Sequence, residues 1–313
     1  MKQSANKSIS TKERIQKNIT HGNNRKMDKI MPRIFFGTAL ISVFTTVGIL
    51  FTLVFDAALF FKEVSIFEFF GSTDLDPLGK NPSFGILPLL TGTIVTSIIA
   101  MFVAIPIGLT TAVYLSEYAS EKVRKVIKPM LEVLAGIPTI VYGFFAYSFV
   151  TPILLTIIPE IGAKNALSPG IVMGIMIIPM VASLSEDAMS AVPNAMREGA
   201  LGLGSTKLEV TWKVIIPASI SGIIASFVLA ISRAIGETMI VTIASGSSKN
   251  FTLDVRESMQ TMTAYIVEFT SGDAGAGTVG YYSLYAVGLT LFVFTLFMNL
   301  LAQYISRRFR EEY

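Results

Sequence analysis

Two oppositely charged residues stand inside an otherwise apolar run, Ile231-Ser232-Arg233-Ala234-Ile235-Gly236-Glu237-Thr238-Met239. Counted from Pro217, Arg233 lies about 24 Å along a helix, near the middle of a bilayer. An arginine there costs about 2.5–3.5 kcal/mol on insertion scales, so something must compensate it. Glu237 follows at i+4, and this spacing predicts an ion pair on one helical face. Gly236, between them, lets a neighbouring backbone or a substrate come close. Two chemistries fit. One is a structural salt bridge between helices. The other is an anion path along Arg233, Gly236, Glu237 and Thr238, in which the guanidinium offers a planar fork of donors to an oxyanion and Glu237 holds it or tunes its field. One cation beside a carboxylate makes a weak site, which suits passage better than storage.

Other chemistries lack material. With no cysteine there is no disulfide, thiolate nucleophile or iron–sulfur cluster. The single histidine, His21, sits in a polar tail, so no His-based metal site or triad can form. No G-x-x-x-x-G-K-[ST] string occurs; the one Gly-Lys, Gly79-Lys80, precedes Asn81. We therefore expect no catalytic residue, metal or cofactor in this chain.

The elements that carry the pair must cross a membrane. The 313 residues are 52% hydrophobic and 15% charged, with mean hydropathy +0.62, whereas soluble domains are about a quarter charged. Six runs reach the roughly 20 residues needed to span: 34–61, 86–115, 130–158, 166–184, 217–243 and 282–304. The third is interrupted by Gly136-Ile137-Pro138. Proline removes a backbone bond there, and a broken helix at depth must be covered by protein or water. Gly136 and Pro138 therefore either line the path or pack against the fifth span.

Charge sets the orientation. In a six-span arrangement nineteen Lys/Arg fall on one side, five on the other, and Arg233 lies within a span. The positive-inside rule then puts both termini in the cytoplasm. The expected organisation is a basic tail (1–33), a first span, an external loop (62–85), a five-span core (86–305) with a cytoplasmic loop at 186–216 and an external loop at 244–281, and a tail at 306–313. The first apolar run exceeds a signal-peptide core, so it reads as an uncleaved helix. The net charge of +3 is concentrated at one end and does not point to nucleic acid. Met259, Met262, Ile266 and Phe269 predict a short helix on the outer surface. Glu132 is expected at the interface or on Lys128, four residues back.

The 186–216 loop is the most specific feature. Small and apolar residues up to Leu203 favour a short helix. Gly204 permits a positive-φ ending. Ser205 can cap a second helix with Leu208, Trp212 and Ile215 as its apolar stripe, and Pro217 opens the next span. Such an elbow can transmit a push.

Here the chain resembles a family. Glu198-Gly199-Ala200, three residues, Gly204, nine residues, then Val214-Ile215-Ile216-Pro217 is similar to the E-A-A-x3-G-x9-I-x-L-P coupling loop of bacterial ABC-importer permeases, with Gly199, Val214 and Ile216 departing conservatively. Arg233–Met239, Ala135–Gly143 and the stretch from Phe84 to Ala119 resemble phosphate-importer permeases of the PstC/PstA type, more the PstC side. The likeness runs from about Phe84 to the C-terminus. It implies an all-α integral membrane protein with six transmembrane helices and a type I ABC-importer (MetI-like) core. It implies an ATPase dock at Glu198, Gly199, Ala200 and Gly204, with Leu208 and Trp212 on the same elbow. It also implies a PstA-like second permease, two PstB-like cytoplasmic ATPases that bind ATP-Mg, and an external PstS-like phosphate-binding protein. The expected place is a bacterial plasma membrane, and the expected function a non-catalytic phosphate-importer subunit. The competing readings are the same machine for phosphonate, sulfate or molybdate, or a secondary anion transporter.

Overall fold

The computed structural model describes residues 24–273, 275 and 277–308; most of the tail expected at 1–33, His21, and residues 309–313 lie outside them. The chain divides into two units, residues 1–53 and 54–313. Helix α1 runs Asn24–Glu63, beginning ten residues before the expected first span, and in the first unit it exposes Phe35, Phe36 and Phe44. In the second unit follow α2 (Ile66–Gly71), a two-stranded antiparallel hairpin of β1 (Leu75–Asp76) and β2 (Ser83–Phe84), and α3 (Leu87–Val113), which a wider turn extends to Tyr118. Then come α4 (Glu121–Ala135), α5 (Thr139–Phe145), α6 (Thr151–Ile157), α7 (Leu167–Ser190), α8 (Asn194–Gly202), α9 (Lys207–Val210), α10 (Ile216–Ile235), α11 (Met239–Ala244), α12 (Met262–Glu268) and α13 (Val279–Arg308). Among the described residues six helical stretches are long and apolar enough to cross a membrane: Ile30–Glu63, Leu87–Tyr118, Thr139–Ile157, Leu167–Ser190, Lys207–Ile235 and Val279–Ile305.

Small residues bring the central helices together, as they must where lipid offers no hydrophobic drive. A Cβ at Gly174 would stand 2.8 Å from the Ala100 carbonyl, and one at Gly108 would stand 2.7 Å from Val181. Around these contacts Ala100, Ala104, Val172, Met173, Ile177 and Ala230 form a buried core that joins α3, α7 and α10. Ser185 and Ser226 tie α7 to α10 through a 2.8 Å hydroxyl bond.

Three expectations are corrected. The third span begins at Thr139, not 130; the preceding residues form α4, a separate amphipathic helix with no buried residue. Its basic stretch and Pro138 explain the separation, since the residue before a proline disfavours helix. The fifth span starts at Lys207, so the elbow's second helix and the span are one helical stretch, and it stops at Ile235 rather than 243. The helix near 262 exists but does not lie on the surface. Met262 and Tyr265 are fully buried against Phe60, Phe84, Leu89 and Ala286. The Tyr265 hydroxyl meets Ser283 Oγ at 2.6 Å, which satisfies its polar end.

Candidate functional site: a cationic cleft and a projecting elbow

The fifth span breaks between the two charges. Helix α10 ends at Ile235, Gly236 closes it, and α11 starts at Met239. The i, i+4 register that would pair Arg233 with Glu237 is therefore lost, and the expected ion pair is not formed. Glu237 is buried and faces backbone instead. Its Oε1 accepts from the N–H groups of Met239 (3.1 Å) and Ile240 (3.4 Å), and its carbonyl accepts from Thr263 Oγ1 at 2.7 Å. The carboxylate thus satisfies donors that the start of α11 leaves open. Thr238 Oγ1 donates to the Gly236 carbonyl at 3.2 Å.

Arg233 takes the other course. It lies in the last turn of α10, where the helix end carries partial negative charge. Its side chain is exposed and opens into a cleft of about 470 Å³, together with Lys128, Glu132, Ser183 and Glu186, over apolar walls that include Leu115 and Met176. The charged groups of this cleft divide into two sets. Glu186 is fully buried; Arg124 and Ser190 bond its Oε1 and Lys128 its Oε2 at 2.8 Å, and Lys128 also reaches Asp187 at 3.0 Å. Of the two places expected for Glu132, Lys128 is therefore excluded, because the buried carboxylate competes better for it, and Glu132 is exposed. Among the described residues Arg233 and Glu132 form no ion pair.

Gly136 and Pro138 are exposed and do not line the cleft, although the preceding Ala135 does. The close approach between the third span and α11 occurs at Gly143, where a Cβ would stand 3.1 Å from the Met239 carbonyl. The Tyr142 hydroxyl donates to the Leu134 carbonyl at 2.8 Å and so straps the end of α4 to α5.

Just past the C-terminal end of α7, which carries Glu186, the elbow projects. Gly204 has φ +87°, the left-handed conformation that ends α8. The cap of α9 is Thr206, not Ser205. Its hydroxyl accepts from the Glu209 N–H while the Glu209 carboxylate accepts from the Thr206 N–H, a reciprocal box. Glu198, Gly199, Leu201, Leu203, Leu208 and Trp212 are exposed, Ala200 is half-buried, and added Cβ atoms at Gly199, Gly202 and Gly204 would meet nothing within 4 Å. The expected apolar stripe splits: Ile215 is fully buried while Trp212 is 61% exposed. The widened turn at Thr211–Ile215 shifts the helical register between them. Arg197 braces the root of the elbow, donating to Glu117 Oε1 (3.1 Å), the Met189 carbonyl (2.7 Å) and the Val192 carbonyl.

Sequence reasoning missed the Glu186 cluster. Lys122, Arg124, Lys125 and Lys128 were legible only as an orientation signal. The i, i+4 spacing of Arg124 and Lys128 places both on one face and is the pattern that points to a shared carboxylate.

Residues 104–311 match the family described as binding-protein-dependent transport system inner membrane component. A probable ABC transporter permease protein of Bacillus subtilis, YqgH, is 31% identical over 303 residues, 96% of this chain and 97% of that protein. The phosphate transport system permease protein PstC of Mesorhizobium japonicum is 34% identical over 262 residues, covering 77% of this chain and 79% of that protein. A solved bacterial ABC transporter involved in the import of the acidic polysaccharide alginate superposes with a TM-score of 0.65 at 16% identity, covering 96% of this chain and 100% of that one, a likeness of fold.

Proposed function

This chain belongs to the family of binding-protein-dependent transport system inner membrane components, and from that premise we propose that it is the permease subunit of an ATP-driven importer of inorganic phosphate. The observation that carries the phosphate reading is Arg233, a guanidinium with no ion-pair partner among the described residues, held at the interruption of the fifth span and open to a cleft. An always-charged planar fork suits a tetrahedral oxyanion. The similarity to a PstC protein supports the same substrate.

In this reading both termini and the elbow are cytoplasmic and the loops at 62–85 and 244–281 are external. The exposed face of Glu198, Gly199, Leu203, Leu208 and Trp212 docks a cytoplasmic ATPase. A PstA-like permease completes the path, two ATPase subunits bind ATP-Mg, and an external phosphate-binding protein delivers the substrate. The chain performs no catalysis and holds no cofactor. Closure of the ATPases pushes the elbow. Because α9 runs without a break into α10, the push reaches Arg233 along one helical stretch. Because Arg197 braces α8 to the ends of α3 and α7, it reaches their side of the cleft as well.

The test is uptake of labelled phosphate into proteoliposomes that hold the assembled complex. We expect uptake only with ATP inside and the binding protein outside. Uptake driven by a proton gradient, with no ATPase present, would make the chain a secondary transporter instead.

A further inference from the structure

The cleft contains one cation and one carboxylate with no ion-pair partner among the described residues, and they face the same space. Glu186 is fully engaged by Arg124, Lys128 and Ser190, and Lys128 is spent on Glu186 and Asp187. Arg233 and Glu132 are the charged lining groups that remain, and no bond joins them. Resting on the phosphate reading above, we propose that Glu132 is a specificity residue that admits oxyanions carrying a proton and rejects those that carry none.

The argument is hydrogen-bond bookkeeping. A guanidinium offers only donors and an ionised carboxylate only acceptors. Near neutral pH inorganic phosphate retains at least one O–H. It can accept from Arg233 through its bare oxygens and donate through its hydroxyl to Glu132. Sulfate and molybdate present acceptors alone. Against Glu132 they set like charge on like charge and offer no hydroxyl donor in place of the one that phosphate brings. A missing hydrogen bond to a charged group is worth about 1.5–3 kcal/mol, at least tenfold in occupancy at the lower end. The position supports the role. Glu132 is an exposed residue on α4, four residues from Lys128, whose ammonium is turned away to Glu186. The buried carboxylate thus keeps the nearby cation from neutralising Glu132. Arg124 and Lys128 together fix the helix that carries it against α7.

The cleft adjoins the elbow end, so its selectivity can be read from the ATPase side, where the external binding protein does not contribute. Proteoliposomes with the assembled complex are loaded with ATP and with either phosphate or sulfate at equal ionic strength, and initial uptake of labelled phosphate is measured. Inhibition is expressed as a fraction of each variant's own uptake. In the wild-type chain, luminal phosphate is expected to inhibit at about tenfold lower concentration than luminal sulfate. In Glu132→Gln the two anions should inhibit alike, because an amide both donates and accepts. Equal inhibition in the wild type, or a wild-type ratio in Glu132→Gln, overturns the proposal. So does a Glu132→Gln complex that assembles but moves no phosphate, since the carboxylate would then be required for passage rather than for rejection. Arg233→Ala separates the two claims: if it transports normally, the anion-path reading fails, whatever Glu132 does.

Discussion

Glu186 and Gly204 show how single residues hold the machinery in place. Glu186 is a fully buried carboxylate, and its two cationic partners are each 32% exposed. Removing the partners leaves an uncompensated charge, which in buried pairs costs about 3–5 kcal/mol; the exposure of the partners puts this case at the lower end. The double variant Arg124→Ala/Lys128→Ala should therefore unfold at clearly lower temperature than Glu186→Gln, which keeps the volume and discards the charge. Thermal unfolding followed by size-exclusion in detergent reads this order, and equal midpoints would show that the cluster carries no net charge constraint. Gly204 is constrained by its backbone: at φ +87° a β-branched side chain adds about 1–2 kcal/mol of strain. Gly204→Val should insert normally yet lose co-purification with the ATPase. Undiminished co-purification would separate the turn from docking.

At the scale of elements, the sequence displayed what depends on periodicity and concealed what depends on tertiary partners. Six apolar runs, the positive φ at Gly204 and a helix–turn–helix elbow all follow from local pattern. The break at Gly236–Thr238 does not, because 217–243 reads as one continuous span. Only the packing of Thr263 on the Glu237 carbonyl and the turn of the carboxylate to Met239 and Ile240 end it. The expected Arg233–Glu237 pair failed for that reason, and Arg233 was left available to the cleft. The buried placement of α12 was hidden likewise, since its apolar face reads the same against lipid or against Tyr265's partners. The loop around Asp254, whose carbonyls accept from the N–H groups of Gly162, Ala166 and Leu167, makes its own prediction. The Asp254 carboxyl is pulled down to about 2, first by the Arg256 guanidinium bond and then by the Arg256 N–H. Arg256 also reaches Glu160, and its carbonyl accepts from the Gly162 N–H at 2.9 Å. A depressed carboxylate stabilises above its ordinary value of 3.8 and loses that contribution as pH falls through about 2. The protection factor of the Gly162 N–H against hydrogen exchange should stay high at pH 5 and fall between pH 4 and 2. In Asp254→Asn it should already be low at pH 5; a variant as protected as the wild type would mean the clamp is idle.

At the scale of the whole chain, the account joins two features that lie on one helical stretch: an exposed elbow from Lys207 and a guanidinium at Arg233, connected without interruption through Ile235. In the proposed importer, transport is then a matter of moving that stretch while an oxyanion rests against its end. The most direct test is ATP-dependent phosphate uptake by the reconstituted complex with Arg233→Ala and Arg233→Lys, alongside a check that the ATPase remains bound. The account predicts uptake abolished in the alanine variant with the complex intact, and reduced but measurable uptake in the lysine variant, which keeps the charge and loses the fork. Wild-type uptake by an assembled Arg233→Ala complex would contradict it.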